Sequence, residues 1–123
     1  MEMGQLNRFA TTVIIINLSL ALSAPPVALD IYININEDST SVIGLEASDP
    51  DGDSLSFAII SYPTNGQIGD IYGANDSSAL INYTPNTNFN GSDSFQYDES
   101  DGELLDTANV IITVTPVNDA PEI

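Results

Sequence analysis

Short apolar runs separated by turn signals constrain the fold of this chain more than any other feature of its sequence. Residues 29–35 alternate apolar and polar side chains with a period of two, which is the pattern of a half-buried β-strand. Further runs of the same kind follow at residues 41–47, 55–62, 67–72, 79–83, 94–97 and 108–114. Asp-Gly and Asn-Gly pairs, which tolerate a positive φ, stand between the runs at residues 51–52, 65–66, 90–91 and 101–102. The chain from residue 28 onward therefore reads as a series of strands and tight turns, without helical periodicity.

Seven such strands in about a hundred residues predict a fold of two packed sheets. We expect an all-β, seven-stranded antiparallel β-sandwich of immunoglobulin-like kind, with one domain in the 123 residues of the chain. Its core is predicted to consist of the inward-facing apolar side chains Ile31, Ile33, Ile35, Leu45, Leu55, Phe57, Ile59, Ile81, Phe95, Val110, Ile112 and Val114.

An apolar segment precedes the strands. Arg8, the single basic residue of the chain, stands directly before an uncharged run from Phe9 to Ala24. This run is shorter than the ~20 apolar residues that a helix needs to cross a membrane. The small residues Ala21 and Ser23 have the spacing of a signal-peptide cleavage site. We expect residues 1–23 to be an export signal peptide or a retained apolar segment, residues 24–29 a linker, and residues 30–123 the sandwich. An extracellular or cell-surface location follows, with membrane contact only through residues 1–23 where they are not cleaved.

The types of side chain in the sequence exclude most kinds of catalysis, metal binding and nucleic-acid binding. The chain has 18 acidic residues, one basic residue, no histidine and no cysteine. Because the usual general bases and thiol or amine nucleophiles are missing, we expect no enzymatic activity. The histidine and cysteine side chains that zinc, copper and haem prefer as ligands are missing too. An acidic surface also repels nucleic-acid phosphates. Calcium, which binds oxygen ligands, is the cofactor that this composition favours.

The acidic residues gather in the turns rather than along the strands. The densest groups lie at residues 49–53 and 98–103, and smaller ones at 37–38 and 118–119. Strand parity places the two dense groups at the end of the sandwich where the domain starts, here called the N-terminal pole. The same parity places Glu37, Asp93 and residues 118–119 at the opposite end, the C-terminal pole. Solvated acidic turns are the alternative interpretation, because Asp-Pro-Asp-Gly and Ser-Asp-Gly form turns without any metal.

Four motifs stand in a fixed order along the domain. An Asp-x-Asp motif at residues 49–51 ends the second predicted strand, and the stretches at 83–95 and 100–102 follow it. The sequence Val-Asn-Asp-Ala-Pro stands at residues 117–121. Together these motifs resemble the cadherin-like repeats of large secreted bacterial adhesins and surface proteins. Residues 117–121 resemble the linker that closes each repeat.

This resemblance implies calcium at the junctions between successive repeats. Matched position by position, it implies ligands Asp49, Asp51 and Asp101 at the N-terminal pole and Glu37, Asn118 and Asp119 at the C-terminal pole. The linker departs from the family pattern, because Pro116 stands where the family has an aspartate and an asparagine is missing before Ala120.

The expected function is that of a non-catalytic, extracellular, calcium-binding adhesion or spacer module. Its expected partners are neighbouring repeats or identical subunits joined through calcium, and an unidentified cell-surface protein or glycan. The first alternative is a structural subunit of an extracellular fibre or surface layer, with the apolar N-terminal segment packing between protomers. The second is a carbohydrate-binding sandwich that uses its tyrosines, although their positions on separate strands favour packing roles.

Overall fold

A computed structural model describes residues 23–118 of the chain as two packed four-stranded β-sheets. The strands are β1 (Val27–Ala28), β2 (Ile31–Asn36), β3 (Ser41–Ser48), β4 (Ser56–Ser61), β5 (Gly66–Ile68), β6 (Ser78–Pro85), β7 (Gly91–Ser100) and β8 (Leu105–Thr115). The first sheet has the order β1-β3-β6-β5 and the second the order β2-β8-β7-β4. The predicted immunoglobulin-like β-sandwich is thereby confirmed. Within residues 23–118, no helix is long and apolar enough to span a membrane.

A short strand that was not predicted, β1, precedes the first predicted strand and lies in the other sheet. β1 pairs antiparallel with β3, whereas β2 runs parallel to β8 from Ile31 opposite Val110 to Asn36 opposite Thr115. The strand count therefore rises from seven to eight, one pair departs from the predicted antiparallel arrangement, and the predicted linker 24–29 contains β1. Two carboxylates hold the crossing: Asp106 Oδ2 accepts from the backbone N–H of Ala28 at 2.9 Å, and Asp30 Oδ1 accepts from that of Asn109 at 2.8 Å. In the sequence, apolar residues stand at every second position from Leu29 to Ile35, although Leu29 is exposed, so the sequence pattern gives no sign of the crossing.

The core lies between the sheets. Its fully or nearly fully buried members are Ile35, Ile43, Leu45, Ala79, Ile81, Tyr83, Phe95, Tyr97, Ala108, Val110, Ile112 and Val114. Four predicted core residues, Ile31, Ile33, Phe57 and Ile59, are only partly buried because they lie on β2 and β4, the edge strands of the second sheet.

Tyrosines divide between core and surface. Tyr83 and Tyr97 are fully buried, while Tyr32 and Tyr62 are 76% and 71% exposed. The hydroxyl of Tyr97 donates to the backbone carbonyls of Leu29 at 2.6 Å and Glu46 at 2.9 Å. It thus ties β7 of one sheet to the chain crossing and to β3 of the other.

Asp93 organises the C-terminal pole from inside. It is 5% exposed, and its carboxylate accepts hydrogen bonds from the Tyr83 hydroxyl at 2.7 Å and from the backbone N–H groups of Thr64 and Asn65 at 3.1 Å each. The N–H of Ser94 donates to it as well, at 2.9 Å. Asp93 therefore serves the fold by fastening the β4–β5 loop, and its oxygens are occupied by these donors.

Candidate metal centre

Three segments meet at the N-terminal pole. The hydroxyl of Ser23 donates to Asp101 Oδ2 at 3.4 Å, and the backbone N–H of Ala24 donates to Asp51 Oδ2 at 2.7 Å. A hollow of about 400 Å³ between them is lined by Ser23, Asp53, Asp101 and Glu103. The β3–β4 loop and the β7–β8 loop thus lie beside each other, in the arrangement that strand parity predicts.

The β3–β4 loop folds around Asp49. Asp49 Oδ1 accepts from the backbone N–H of Asp51 at 2.8 Å and of Asp53 at 3.2 Å. Gly52, with a φ of 76°, donates its N–H to the carbonyl of Asp49 at 3.0 Å and allows the chain to turn back. As a result, one carboxylate oxygen from each of Asp49, Asp51 and Asp53 lies within 4.8 Å of the others.

Asp53 belongs to this cluster although the sequence interpretation left it out. The interpretation matched only the Asp-x-Asp pair at positions 49 and 51. The missed signal is the further spacing of two residues to Asp53, which the turn at Gly52 brings back beside the pair. We name Asp49, Asp51 and Asp53 the aspartate triad.

One oxygen of the triad has no partner among residues 23–118. Asp49 Oδ2 is buried and makes no hydrogen bond there, whereas Oδ1 holds the loop together. A buried carboxylate oxygen without a donor is destabilising unless a cation or water compensates it. The loop therefore combines a frame of backbone hydrogen bonds with one buried carboxylate oxygen that no donor among residues 23–118 compensates.

Among residues 23–118, the charges around the triad are all negative. The pKa of Asp53 is raised by partial desolvation and by the neighbouring charges of Asp49, Asp51, Asp101 and Glu103. The sequence has no lysine or arginine after Arg8 to compensate them. Since like charges at a few ångströms repel, a bound divalent cation would turn this repulsion into attraction.

Asp101 is fixed in a different way. Its Oδ1 accepts from the backbone N–H groups of Glu103 at 2.8 Å and Leu104 at 2.7 Å, and these bonds lower its pKa. Asp101 therefore stays ionised and closes the β7–β8 turn. The structure places it across the hollow from Asp53, with Glu103 beside it, rather than within the triad.

The C-terminal pole is less crowded with carboxylates. Glu37 is 7% exposed, and its Oε1 accepts from the backbone N–H of Val117 at 2.9 Å, so this side chain lies directly against the linker. Asn118 is exposed, and Asp119 lies outside the described residues. Over residues 23–118, the aspartate triad is the group of three or more acidic side chains that is close enough to hold a metal ion.

Comparisons with known proteins agree with the fold. Over 119 residues the chain is 29% identical to the integrin beta-like protein C of Dictyostelium discoideum, an alignment that covers 86% of this chain and 6% of that protein. Two solved enzymes contain a similar domain. The endo-fucoidan hydrolase MfFcnA4 of glycoside hydrolase family 107 matches 76% of this chain and 14% of its own, at 22% identity and a TM-score of 0.62. The related hydrolase MfFcnA9 matches 73% of this chain and 16% of its own, at 21% identity and a TM-score of 0.56.

The chain thus spans a small fraction of each of these larger proteins. The model of the bacterial Ig domain family matches residues 23–113, which include every strand except the last two residues of β8. The chain therefore belongs to the bacterial Ig domain family.

Proposed function

We propose that the chain is a non-catalytic, calcium-binding spacer or adhesion module of a larger surface or secreted protein. The observation that carries the proposal is the convergence of the aspartate triad within 4.8 Å, with no cationic side chain after Arg8 to balance it. Calcium suits this site because it takes six to eight oxygen ligands in flexible geometry, including carboxylates and waters.

The triad supplies the first ligands of the proposed site. Asp51 and Asp53 are exposed, and Asp49, whose Oδ2 has no donor among the described residues, completes the triad. Asp101 and Glu103 add negative potential across the hollow. Because this site is open to solvent, we expect weak binding, with a Kd on the order of 10⁻⁴–10⁻³ M as in extracellular calcium modules.

The motifs shared with cadherin-like repeats support a role for the ion between domains. Glu37 is already fastened to the linker through Val117, and Asn118 and Asp119 follow directly. In this proposal the C-terminal pole of one repeat and the triad of the next share calcium, which stiffens the junction. The small share that the chain covers of its relatives is consistent with one module among several.

Calcium should stabilise the folded domain. At ten times its Kd, a ligand that binds only the folded state stabilises by about 1.4 kcal/mol, which raises the Tm of a domain of this size by several degrees. Thermal unfolding of the full chain followed by circular dichroism, with and without millimolar calcium, measures this shift. Sodium chloride at matched ionic strength should give a smaller shift, and equal shifts would show that the effect is charge screening rather than binding.

Calcium binding should depend on the triad rather than on acidity in general. We expect Asp51→Asn combined with Asp53→Asn to weaken calcium binding at least about ten-fold in isothermal titration calorimetry, because both exposed ligands lose their charge. The matched control is Asp70→Asn combined with Asp76→Asn, which removes two exposed charges from another loop of the same pole. If both double variants bind calcium as the unmodified chain does, the three aspartates serve only to form the β3–β4 turn and do not bind the ion.

A further inference from the structure

Two strand edges are left open on one side of the sandwich. β2 pairs with β8 along one edge, and its other edge faces no strand among residues 23–118. β3 pairs with β1 only at Ala47 and Ser48, so its edge from Ser41 to Leu45 is not paired in the described structure either. Both open edges flank the same seam, because the chain crosses from one sheet to the other at residues 29–30.

The seam is also where the core is incompletely covered. Ile31 and Ile33 face inward from β2 but remain partly exposed, unlike Ile35. A groove of about 480 Å³ runs along the seam toward the C-terminal pole, lined by residues 33–36 of β2, by Ser41 and Val42 of β3, and by Ser39 and Thr115. An added strand with apolar side chains would cover this part of the core.

Neither edge carries the features that usually prevent strand addition. Natural edge strands are protected by charged side chains, proline or bulges. Residues 31–36 and 41–45 contain no charged residue and no proline, although the chain has 18 acidic residues. The pairings of β2 with β8 and of β3 with β6 run without a register shift. The seam is therefore an uncharged double edge in a strongly acidic protein.

The sequence contains a segment with the matching pattern. From Ile16 to Ser23 it reads Ile-Asn-Leu-Ser-Leu-Ala-Leu-Ser, with apolar residues at 16, 18, 20 and 22 and small or polar residues between them. This period of two is that of a strand with one apolar face. The segment carries no charge, so it adds no repulsion to a chain with a formal net charge of −17.

We propose that the seam between β2 and β3 binds the segment Ile16–Leu22 of a second copy of this chain as an added β-strand. Main-chain hydrogen bonds to an open edge provide the affinity, and the alternate leucines cover Ile31 and Ile33. The inference goes beyond the calcium site and does not depend on it.

Chain length favours a second copy over the chain's own segment. Ser23 lies at the N-terminal pole, bonded to Asp101, whereas the groove begins at Ile33, ten residues of mostly extended chain away. Strand β2 alone extends about 17 Å from Ile31 to Asn36 at the C-terminal pole, whereas the middle of the segment, four residues before Ser23, is at most about 14 Å from Ser23. The middle of the segment is therefore too close in sequence to Ser23 to reach the groove of its own chain, and the groove at the C-terminal pole of a preceding copy is the one that the proposal assigns to it. This contact is head-to-tail, and repetition of it builds an open filament.

Engineered thiols test the contact directly, because the chain has no cysteine. One variant carries Leu18→Cys and the other Val42→Cys, each in the full chain, with retention of residues 1–23 verified by intact mass. After mixing, a short thiol-reactive cross-linker should join the two variants on the order of ten-fold faster than it joins Leu18→Cys to Ile60→Cys, since docking raises the local thiol concentration. Ile60 is the matched control, because it is 48% exposed against 56% for Val42 and lies on β4 at the far edge of the second sheet.

Charges placed on one or the other face of the segment distinguish strand addition from non-specific hydrophobic association. Leu18→Asp with Leu20→Asp should convert the oligomer to monomer in sedimentation velocity, whereas Asn17→Asp with Ser19→Asp adds the same charge on the other face and should leave it assembled. Equal cross-linking at Val42 and Ile60, equal loss in both parity variants, or a monomeric full chain would overturn the proposal. A chain carrying both Leu18→Cys and Val42→Cys that cross-links only internally would also overturn it, by showing that the segment occupies its own groove.

Discussion

Replacing Asp93 with alanine is expected to lower the free energy of unfolding by roughly 3–5 kcal/mol, because it removes a buried carboxylate that accepts four hydrogen bonds. The carboxylate is 5% exposed and accepts from Thr64, Asn65, Tyr83 and Ser94. Alanine leaves the Tyr83 hydroxyl and the loop N–H groups without an acceptor, and each such buried group costs about 1–3 kcal/mol. Urea denaturation of the full chain in the presence of a calcium chelator measures the loss.

Two further variants calibrate the Asp93 result. Tyr83→Phe removes one of the donors and should cost only about 1 kcal/mol, the usual net contribution of a hydrogen bond. Ser92→Ala lies next to Asp93 but is exposed, and it should stay within about 0.5 kcal/mol of the unmodified chain. A loss below 1 kcal/mol in Asp93→Ala would contradict the assignment of Asp93 as the fastening of the β4–β5 loop.

Replacing Glu99 with leucine is expected to have the opposite sign and to stabilise the domain by about 2 kcal/mol at pH 8. Glu99 is 0% exposed, and neither of its carboxylate oxygens has a hydrogen-bond partner within residues 23–118. Its cross-strand neighbours in the sheet are Phe57 on β4 and Asp106 on β8. Burial, followed by the charges of Asp106 and Asp98, raises the pKa of Glu99 from its ordinary 4.5 to about 7.

The raised pKa sets the pH dependence. The folded state holds the Glu99 proton up to a pH of about 7, whereas the unfolded chain releases it near 4.5. Between these values the folded state binds more protons, so the contribution of Glu99 to stability is fully present below pH 4.5 and is lost as the pH rises to 7. In chelator, the stability advantage of Glu99→Leu over the unmodified chain should therefore grow across this window and stay constant above it.

Two substitutions check this interpretation of Glu99. Glu99→Gln removes the charge but keeps a buried polar group, so its gain at pH 8 should be smaller than that of leucine. Glu103→Gln removes the same net charge from an exposed position and should leave the fall in stability between pH 4.5 and 7 unchanged. If Glu99→Leu destabilises the domain at pH 8, Glu99 has a partner that compensates its burial.

Asp93 and Glu99 show the limit of sequence reasoning within one strand. Both are acidic residues on the inward parity of β7, which they share with Phe95 and Tyr97. A sequence pattern treats them alike. The structure supplies Asp93 with four donors, which come from its own strand, from β6 of the opposite sheet and from the β4–β5 loop. It supplies Glu99 with none among the described residues.

For the candidate metal centre, the sequence likewise predicted the positions of the loops but not the arrangement of the individual side chains. The position of the β3–β4 and β7–β8 loops at one pole followed from the sequence, because antiparallel strands return the chain to the same end at every second turn. The membership of Asp53 in the triad depended on the hydrogen bonds that Asp49 Oδ1 makes to the following N–H groups. Asp101 lies outside the triad because its Oδ1 accepts hydrogen bonds from the N–H groups of Glu103 and Leu104 in the β7–β8 turn.

The sequence by itself determined seven of the eight strands, the turns and the two-sheet sandwich, because a period of two and the Asp-Gly and Asn-Gly pairs are local properties of the chain. Only the tertiary structure decided that residues 27–36 divide between the sheets, that β2 runs parallel to β8, and that the seam between β2 and β3 stays open. These features depend on which distant backbone and carboxylate groups pair, such as Asp106 with Ala28 and Asp30 with Asn109, each separated by more than 75 residues. Alternation records which face of a strand is buried, but the neighbouring strand is selected by packing and hydrogen bonds between parts of the chain that are far apart in sequence.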